Sequence, residues 1–112
     1  MKKIEAIIRT SRFEAVHEAL SLVGIPFMYS VEIKGFGKET GLSQSYRGVP
    51  YDIGFIPRTK LEVVVREDQA EEVVDCILNE AYTGSIGDGK IFISDIERAI
   101  RIRSREEGAA AL

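Results

Sequence analysis

The sequence predicts an α+β fold of ferredoxin-like βαββαβ order, one sheet with both helices on the same face, and three observations carry that expectation. Strand-like segments at 2–9 and 60–66 each lead into a stretch whose apolar residues recur at helical spacing. Each of those helical stretches is followed by a further β-rich segment, at 27–34 and at 90–94. Within 60–66 the alternation puts Leu61, Val63 and Val65 on one face and Glu62 and Val64 on the other, as in a strand covered on one side.

The elements follow in order. Residues 2–9 mix β-branched and charged side chains as a strand does. Ser11 and Glu14 have the S-x-x-E spacing of a capping box, so a helix is expected to open there. Phe13, Val16, Leu20 and Val23 form its buried face and Gly24 ends it. Pro26 then leads into a strand over Phe27–Lys34. Gly35–Pro57 holds five glycines and two prolines among polar residues with no sustained period. It is expected as a long loop, and loops of about that length are usually functional. Asp68 and Glu71 are expected to cap the second helix, whose apolar face is Val73, Val74, Ile77, Leu78 and Ala81. Ile96–Arg103 reads as one extra strand, and Ser104–Leu112 as a small-residue, acidic tail. Phe55 and Phe92 are expected in the core, with only Phe36 near a ligand. The open face of the sheet needs cover, and association of subunits is the simplest.

With 112 residues, the chain is expected to be one domain, 1–112, with little room for a deep enclosed site, which makes clefts between subunits attractive. A net charge of −3 argues against general nucleic-acid affinity. No apolar run reaches the roughly 18 residues that a membrane helix needs, so no direct membrane insertion is expected. Met1–Thr10 has no secretory pattern, so a cytoplasmic location is expected. Cys76 has no partner for a disulfide or a Cys-x-x-Cys site, and His17 has no second ligand at metal spacing.

The chemistry concentrates in Thr83-Gly84-Ser85-Ile86-Gly87-Asp88-Gly89-Lys90. Glycines at 84, 87 and 89 allow positive φ and a close backbone approach, so that successive amides can converge on an oxyanion, and Lys90 adds a charge. Arg101 and Arg103, projected from one face of the extra strand, would reach the same ligand, with Ile100 and Ile102 on the other face. Together they suggest a nucleoside triphosphate. No Ser–His or Cys–His constellation is evident, so no catalytic residue is assigned. The enzyme alternative is a small phosphatase or ATPase on the same sheet. An RNA-binding sheet is disfavoured, because Lys60–Arg66 contributes no aromatic residue.

These residues resemble the PII signal-transduction proteins, trimeric regulators of nitrogen metabolism, along essentially the whole chain. Thr83–Ile93 is similar to the family's carboxy-terminal signature, Lys34-Gly35-Phe36-Gly37 to the base of its T-loop, and Tyr46-Arg47-Gly48 with Tyr51 to the T-loop signature. Arg101-Ile102-Arg103 with Glu106-Glu107 resembles the last strand and tail. The resemblance implies a homotrimer with ATP and ADP competing for clefts between subunits. It assigns nucleotide contacts to Ile7, Tyr29, Gly35, Phe36, Gly37, Lys38, Glu62, Val64, Gly87, Asp88, Gly89, Lys90, Arg101 and Arg103. It implies Mg2+ at Glu39 and a 2-oxoglutarate effector at Gly37, Glu39, Gly41 and Arg58. Residues 35–57 would be the T-loop, which selects a target such as an ammonium transporter, another transporter or a metabolic enzyme. Tyr51 would be its modification site, 83–90 the phosphate-binding B-loop and 104–112 the tail. The chain departs from the family pattern at Glu39, usually glutamine; Arg58, usually lysine; Tyr29, usually a small hydroxyl residue; and Val49-Pro50, usually a small and an acidic residue. These mark a divergent T-loop, open to another effector such as bicarbonate.

Overall fold

The structure is a computed structural model that describes residues 1–36, 44–46, 49–51 and 56–112, without the side chains of 44–46, 49–51 and 56. In chain order it contains β1 (Lys2–Ile8), α1 (Phe13–Leu22), β2 (Tyr29–Gly35), β3 (Gln44–Tyr46), β4 (Val49–Tyr51), β5 (Ile56–Val65), α2 (Ala70–Ala81) and β6 (Gly89–Asp95). The main sheet has four strands in the order β2-β5-β1-β6, and every neighbouring pair is antiparallel. This is the expected ferredoxin-like arrangement, with β2 and β6 at opposite edges.

Strand alternation decides where the core lies. Ile4, Ala6 and Ile8 of β1 and Leu61, Val63 and Val65 of β5 are buried, and Ile4 sits opposite Val63 as Ala6 sits opposite Leu61. Val16 and Leu20 of α1 and Val73 and Ile77 of α2 cover that face. Each such aliphatic side chain contributes about 1.5–3 kcal/mol by leaving water. Cys76 is half-buried beside Ala19 of α1, and burial pushes its thiol above the ordinary value.

The helix starts differ from expectation. A short 3-10 turn, Thr10–Arg12, precedes α1, and Ser11 makes no cap. The turn is held instead by side chains around it: Thr59 Oγ1 donates to Thr10 Oγ1 (3.1 Å) and Arg12 Nε to the Glu80 carbonyl (2.6 Å). Before α2 a second such turn, Glu67–Gln69, does the capping that Asp68 and Glu71 were expected to do. Gln69 Oε1 accepts from the Arg66 amide (3.3 Å), while Asp68 accepts from Arg66 Nε (3.0 Å).

Three further expectations are corrected. Ile96–Arg103 is not a strand: Arg101 N–H donates to the Glu106 carbonyl and Arg105 N–H to the Arg101 carbonyl (2.9 and 2.8 Å), which turns the chain back on itself. Only a single bridge, Ile100 to Glu107, remains. Leu78 and Phe92 are 55% and 52% exposed rather than in the core. Leu78 overhangs the β6 edge, where it lines a groove with Tyr82, Ile91 and Ile93, and Phe92 alternates onto the open face opposite Glu5. Finally, 35–57 is not a plain loop, since β3 and β4 pair as a hairpin within it and β5 begins already at Ile56. Phe55 lies outside the described residues.

Candidate functional site

The open face of the sheet gathers most of the expected nucleotide residues. Register places Glu62 beside Tyr29 and Glu5, and Ile7 beside Lys60 and Lys90, all pointing away from the helices. Val64 lies one step further along β5. The face is mixed in character, with Tyr29 69% and Val31 51% exposed between charged neighbours.

At the β6 edge, the glycine loop is shaped from inside. Gly84, Gly87 and Gly89 all have positive φ (88°, 103° and 104°), as expected. At Gly89 the need for glycine is steric as well, because a Cβ there would stand 1.7 Å from the Ile7 carbonyl oxygen. The loop therefore lies directly against the end of β1, with no room between them for a side chain at 89. Asp88, expected among the phosphate contacts, turns its carboxylate inward. Oδ2 accepts from the amides of Thr83 (2.8 Å) and Gly84 (3.0 Å), and Oδ1 from the Thr83 hydroxyl and from Arg9 Nε (3.0 Å). The Thr83 hydroxyl, the Thr83 amide and the Arg9 guanidinium, in that order, hold this carboxyl well below the usual carboxylate range. Arg9 Nη2 also donates to the Ile86 carbonyl (2.8 Å). Lys90, next in the chain, is exposed on the same edge.

Arg101 lies at the other edge. With Phe27, Tyr29, Glu62, Val64 and Leu112 it lines a cleft of about 440 Å³ beside β2 and β5. Its guanidinium donates to Glu106 Oε1 (2.9 Å) and to the Leu112 carbonyl (3.3 Å), so the tail is folded against the cleft. Arg103 is exposed in the adjoining turn rather than in phase with Arg101 on a strand. Within one chain, then, Tyr29, Glu62, Val64 and Arg101 come together toward the β2 edge, the glycine loop and Lys90 lie at the β6 edge, and Ile7 on β1 stands between them on the same face.

A second cleft, about 620 Å³, opens where β2, β5 and the β1–α1 connection meet, lined by Arg9, Thr10, Ser11, Glu32, Lys34 and Arg58 among others. It holds Arg58, expected at an effector, among two further cations. Gly35 ends β2 nearby, and Phe36, the residue after it, is 76% exposed. Gly37, Lys38, Glu39 and Gly41 lie outside the described residues, as does the side chain of Tyr51. Among the described residues no group of three metal-ligating side chains occurs, and no helix is long and apolar enough to cross a membrane.

Sequence reasoning missed Arg9. Nothing in its local sequence marks it, yet the β1–β6 pairing carries a usable signal: Ile8 lies opposite Gly89, so the next residue of each strand, Arg9 and Asp88, must also meet.

Comparison with known proteins agrees with this geometry. A family profile described as Nitrogen regulatory protein P-II matches residues 1–106. The chain is 47% identical over 112 residues to the nitrogen regulatory protein P-II of Pasteurella multocida (strain Pm70), covering all of both chains. It is 46% identical, again over the whole of both chains, to the nitrogen regulatory protein GlnK of Escherichia coli (strain K12). A solved structure of Arabidopsis thaliana PII bound to citrate superposes with a TM-score of 0.79 at 36% identity, covering 98% of this chain and 87% of that one. The names are those of regulators and not of enzymes, in line with the absence of an assigned catalytic residue from the sequence reading. Sheet order, glycine loop and full-length similarity converge, and this chain belongs to the nitrogen regulatory protein P-II family.

Proposed function

We propose that the chain forms a homotrimer that binds ATP and ADP in clefts between subunits and, through residues 35–57, regulates a target protein in nitrogen or carbon metabolism. The observation that carries this reading is the division of the site between the two sides of the sheet. The glycine loop and Lys90 lie at the β6 edge, whereas Tyr29, Glu62, Val64 and Arg101 line a cleft beside β2. The edge of one copy approaching the opposite edge of another would bring Arg101 of one chain to the glycine loop of the next, a head-to-tail contact that can close into a ring.

The residues suit a nucleotide. Gly87 and Gly89, both at positive φ, would let backbone amides approach an oxyanion, Lys90 and the arginines at 101 and 103 would neutralise its charge, and Glu62, Val64, Ile7 and Tyr29 offer a mixed surface for a base. Gly35, Phe36, Gly37 and Lys38 would follow the phosphates. Mg2+ would enter with the nucleotide at Glu39, and the cationic cleft at Arg58 supports a small anionic effector, 2-oxoglutarate or, given the departures at 39 and 58, bicarbonate. A nucleotide shifts the T-loop only by binding its two states unequally, so the γ-phosphate beside 37–41 is the discriminator. The target would be an ammonium transporter, another transporter or a metabolic enzyme, met in the cytoplasm, with Tyr51 available for modification.

Calorimetric titration with ATP and ADP, each with Mg2+ and with or without 2-oxoglutarate or bicarbonate, tests the reading alongside sedimentation of the free protein. Micromolar adenylate binding by a trimer is expected, with Lys90→Ala weakening it on the order of tenfold. Co-refolding Lys90→Ala with Arg101→Ala chains should regenerate some full-affinity clefts, because each cleft draws on two chains. A monomer, or a trimer indifferent to both adenylates, overturns the proposal.

A further inference from the structure

We propose that Arg9 is the positioning residue of the glycine loop, a strut from the end of β1 that holds 83–89 in the shape that receives a polyphosphate; this rests on the nucleotide reading above. The geometry is specific. Nε donates to Asp88 Oδ1 at 3.0 Å and Nη2 to the Ile86 carbonyl at 2.8 Å, so one planar guanidinium grips a side chain and a backbone group of the same loop. Both charged side chains are about three-quarters buried, 24% and 23% exposed, which sets this pair apart from exposed pairs such as Arg98–Glu107 at 70% and 58%.

Asp88 explains why such a strut is needed. A carboxylate beside a polyphosphate repels it, and a glycine-rich loop without cross-ties would have to be ordered by the ligand itself. Arg9 answers both problems. It neutralises the carboxylate and fixes it where its other lone pairs meet the amides of Thr83 and Gly84 and the Thr83 hydroxyl. Gly89 pins the far end of the loop against the Ile7 carbonyl, two residues before Arg9 in β1's direction. The loop is thus held by one short stretch of chain, 7–9, in which Arg9 supplies the side-chain hydrogen bonds to Asp88 and Ile86.

The test uses the full chain as wild type, Arg9→Met, Arg9→Lys, Asp88→Asn and the Arg9→Met/Asp88→Asn double variant. Each is titrated with Mg-ATP, and amide exchange is followed without ligand. Arg9→Met is expected to weaken ATP binding on the order of tenfold and to speed exchange at Thr83 and Gly84, leaving Leu61 and Ile77 protected. Arg9→Lys, which keeps the charge but loses the fork, should recover part of the affinity. The double variant should be no weaker than the poorer single one, since both remove the same tie. Unchanged affinity in Arg9→Met while wild type binds ATP overturns this assignment alone. So does faster exchange spread equally through the sheet, or additive losses in the double variant. Failure of the wild type itself to bind ATP overturns the nucleotide reading and this assignment together.

Discussion

The two faces of the one sheet make opposite use of the same strands. Toward the helices, Ile4, Ala6, Ile8, Leu61, Val63 and Val65 are each no more than 3% exposed. A single residue further along each strand, Glu5, Ile7, Lys60, Glu62 and Val64 point the other way, where charged and apolar side chains are interleaved and none is fully buried. Packing dictates the first set. The second is tolerated by packing and set by what must be recognised there, so stability and recognition are separated by a half-period of the strand.

That separation can be attacked directly. Leu61→Ala, on the helix side, should cost about 3 kcal/mol in a denaturant titration, the loss of transfer energy plus a cavity beside Ala6 in the core cluster. A cost below about 1 kcal/mol would mean that the core is looser than its burial suggests. Gly89→Ala, at the rim where the faces meet, should cost about 2 kcal/mol, since a Cβ 1.7 Å from the Ile7 carbonyl with φ at 104° forces β1 and β6 apart. An ordinary unfolding midpoint for that variant would show that the loop can move away from β1.

Asp88 supplies a pH test of the rim. Its pKa is depressed in the folded chain, so its contribution is complete above the unfolded carboxylate value, about 4, and drains away as the pH falls below it. Thermal melts of wild type and Asp88→Asn should therefore differ most near neutrality and converge in acid; a gap that stays constant with pH would mean that the charge is not what matters. Glu62→Ala, one residue from Leu61, should change stability by less than about 0.5 kcal/mol. Its effect should appear in adenylate affinity, and a loss of stability comparable to that of Leu61→Ala would erase the distinction between the faces.

The helix-side face was legible in the sequence because two periods, 2 in strands and 3.6 in helices, leave little freedom once one face is dry. Leu61, Val63, Val65, Val73 and Ile77 all fall where the spacing puts them. The caps were harder, because Ser11 and Asp68 have the right chemistry for an N-cap but each lies inside a 3-10 turn that precedes its helix. Arg101-Ile102-Arg103 alternates like a strand, yet Arg105 at φ 63° and two turn hydrogen bonds pull it into a reversal that periodicity alone does not register. The hairpin of Gln44–Tyr46 and Val49–Tyr51 has strands too short to show a period at all. As for the site, the glycine loop is a local pattern and was readable. The Arg9–Asp88 tie spans 79 positions and becomes visible only once strand pairing is known.

One small feature of the helix layer has a practical use. Cys76 is the chain's single cysteine, and it rests against the Ala19 carbonyl at 4.0 Å, where α1 and α2 touch. With its thiol shifted upward and partly covered, the reactive thiolate is scarce while the helices stay together. The protein thus carries a built-in reporter: a maleimide dye should label this partly covered thiol faster when α1 and α2 loosen, without any engineered probe.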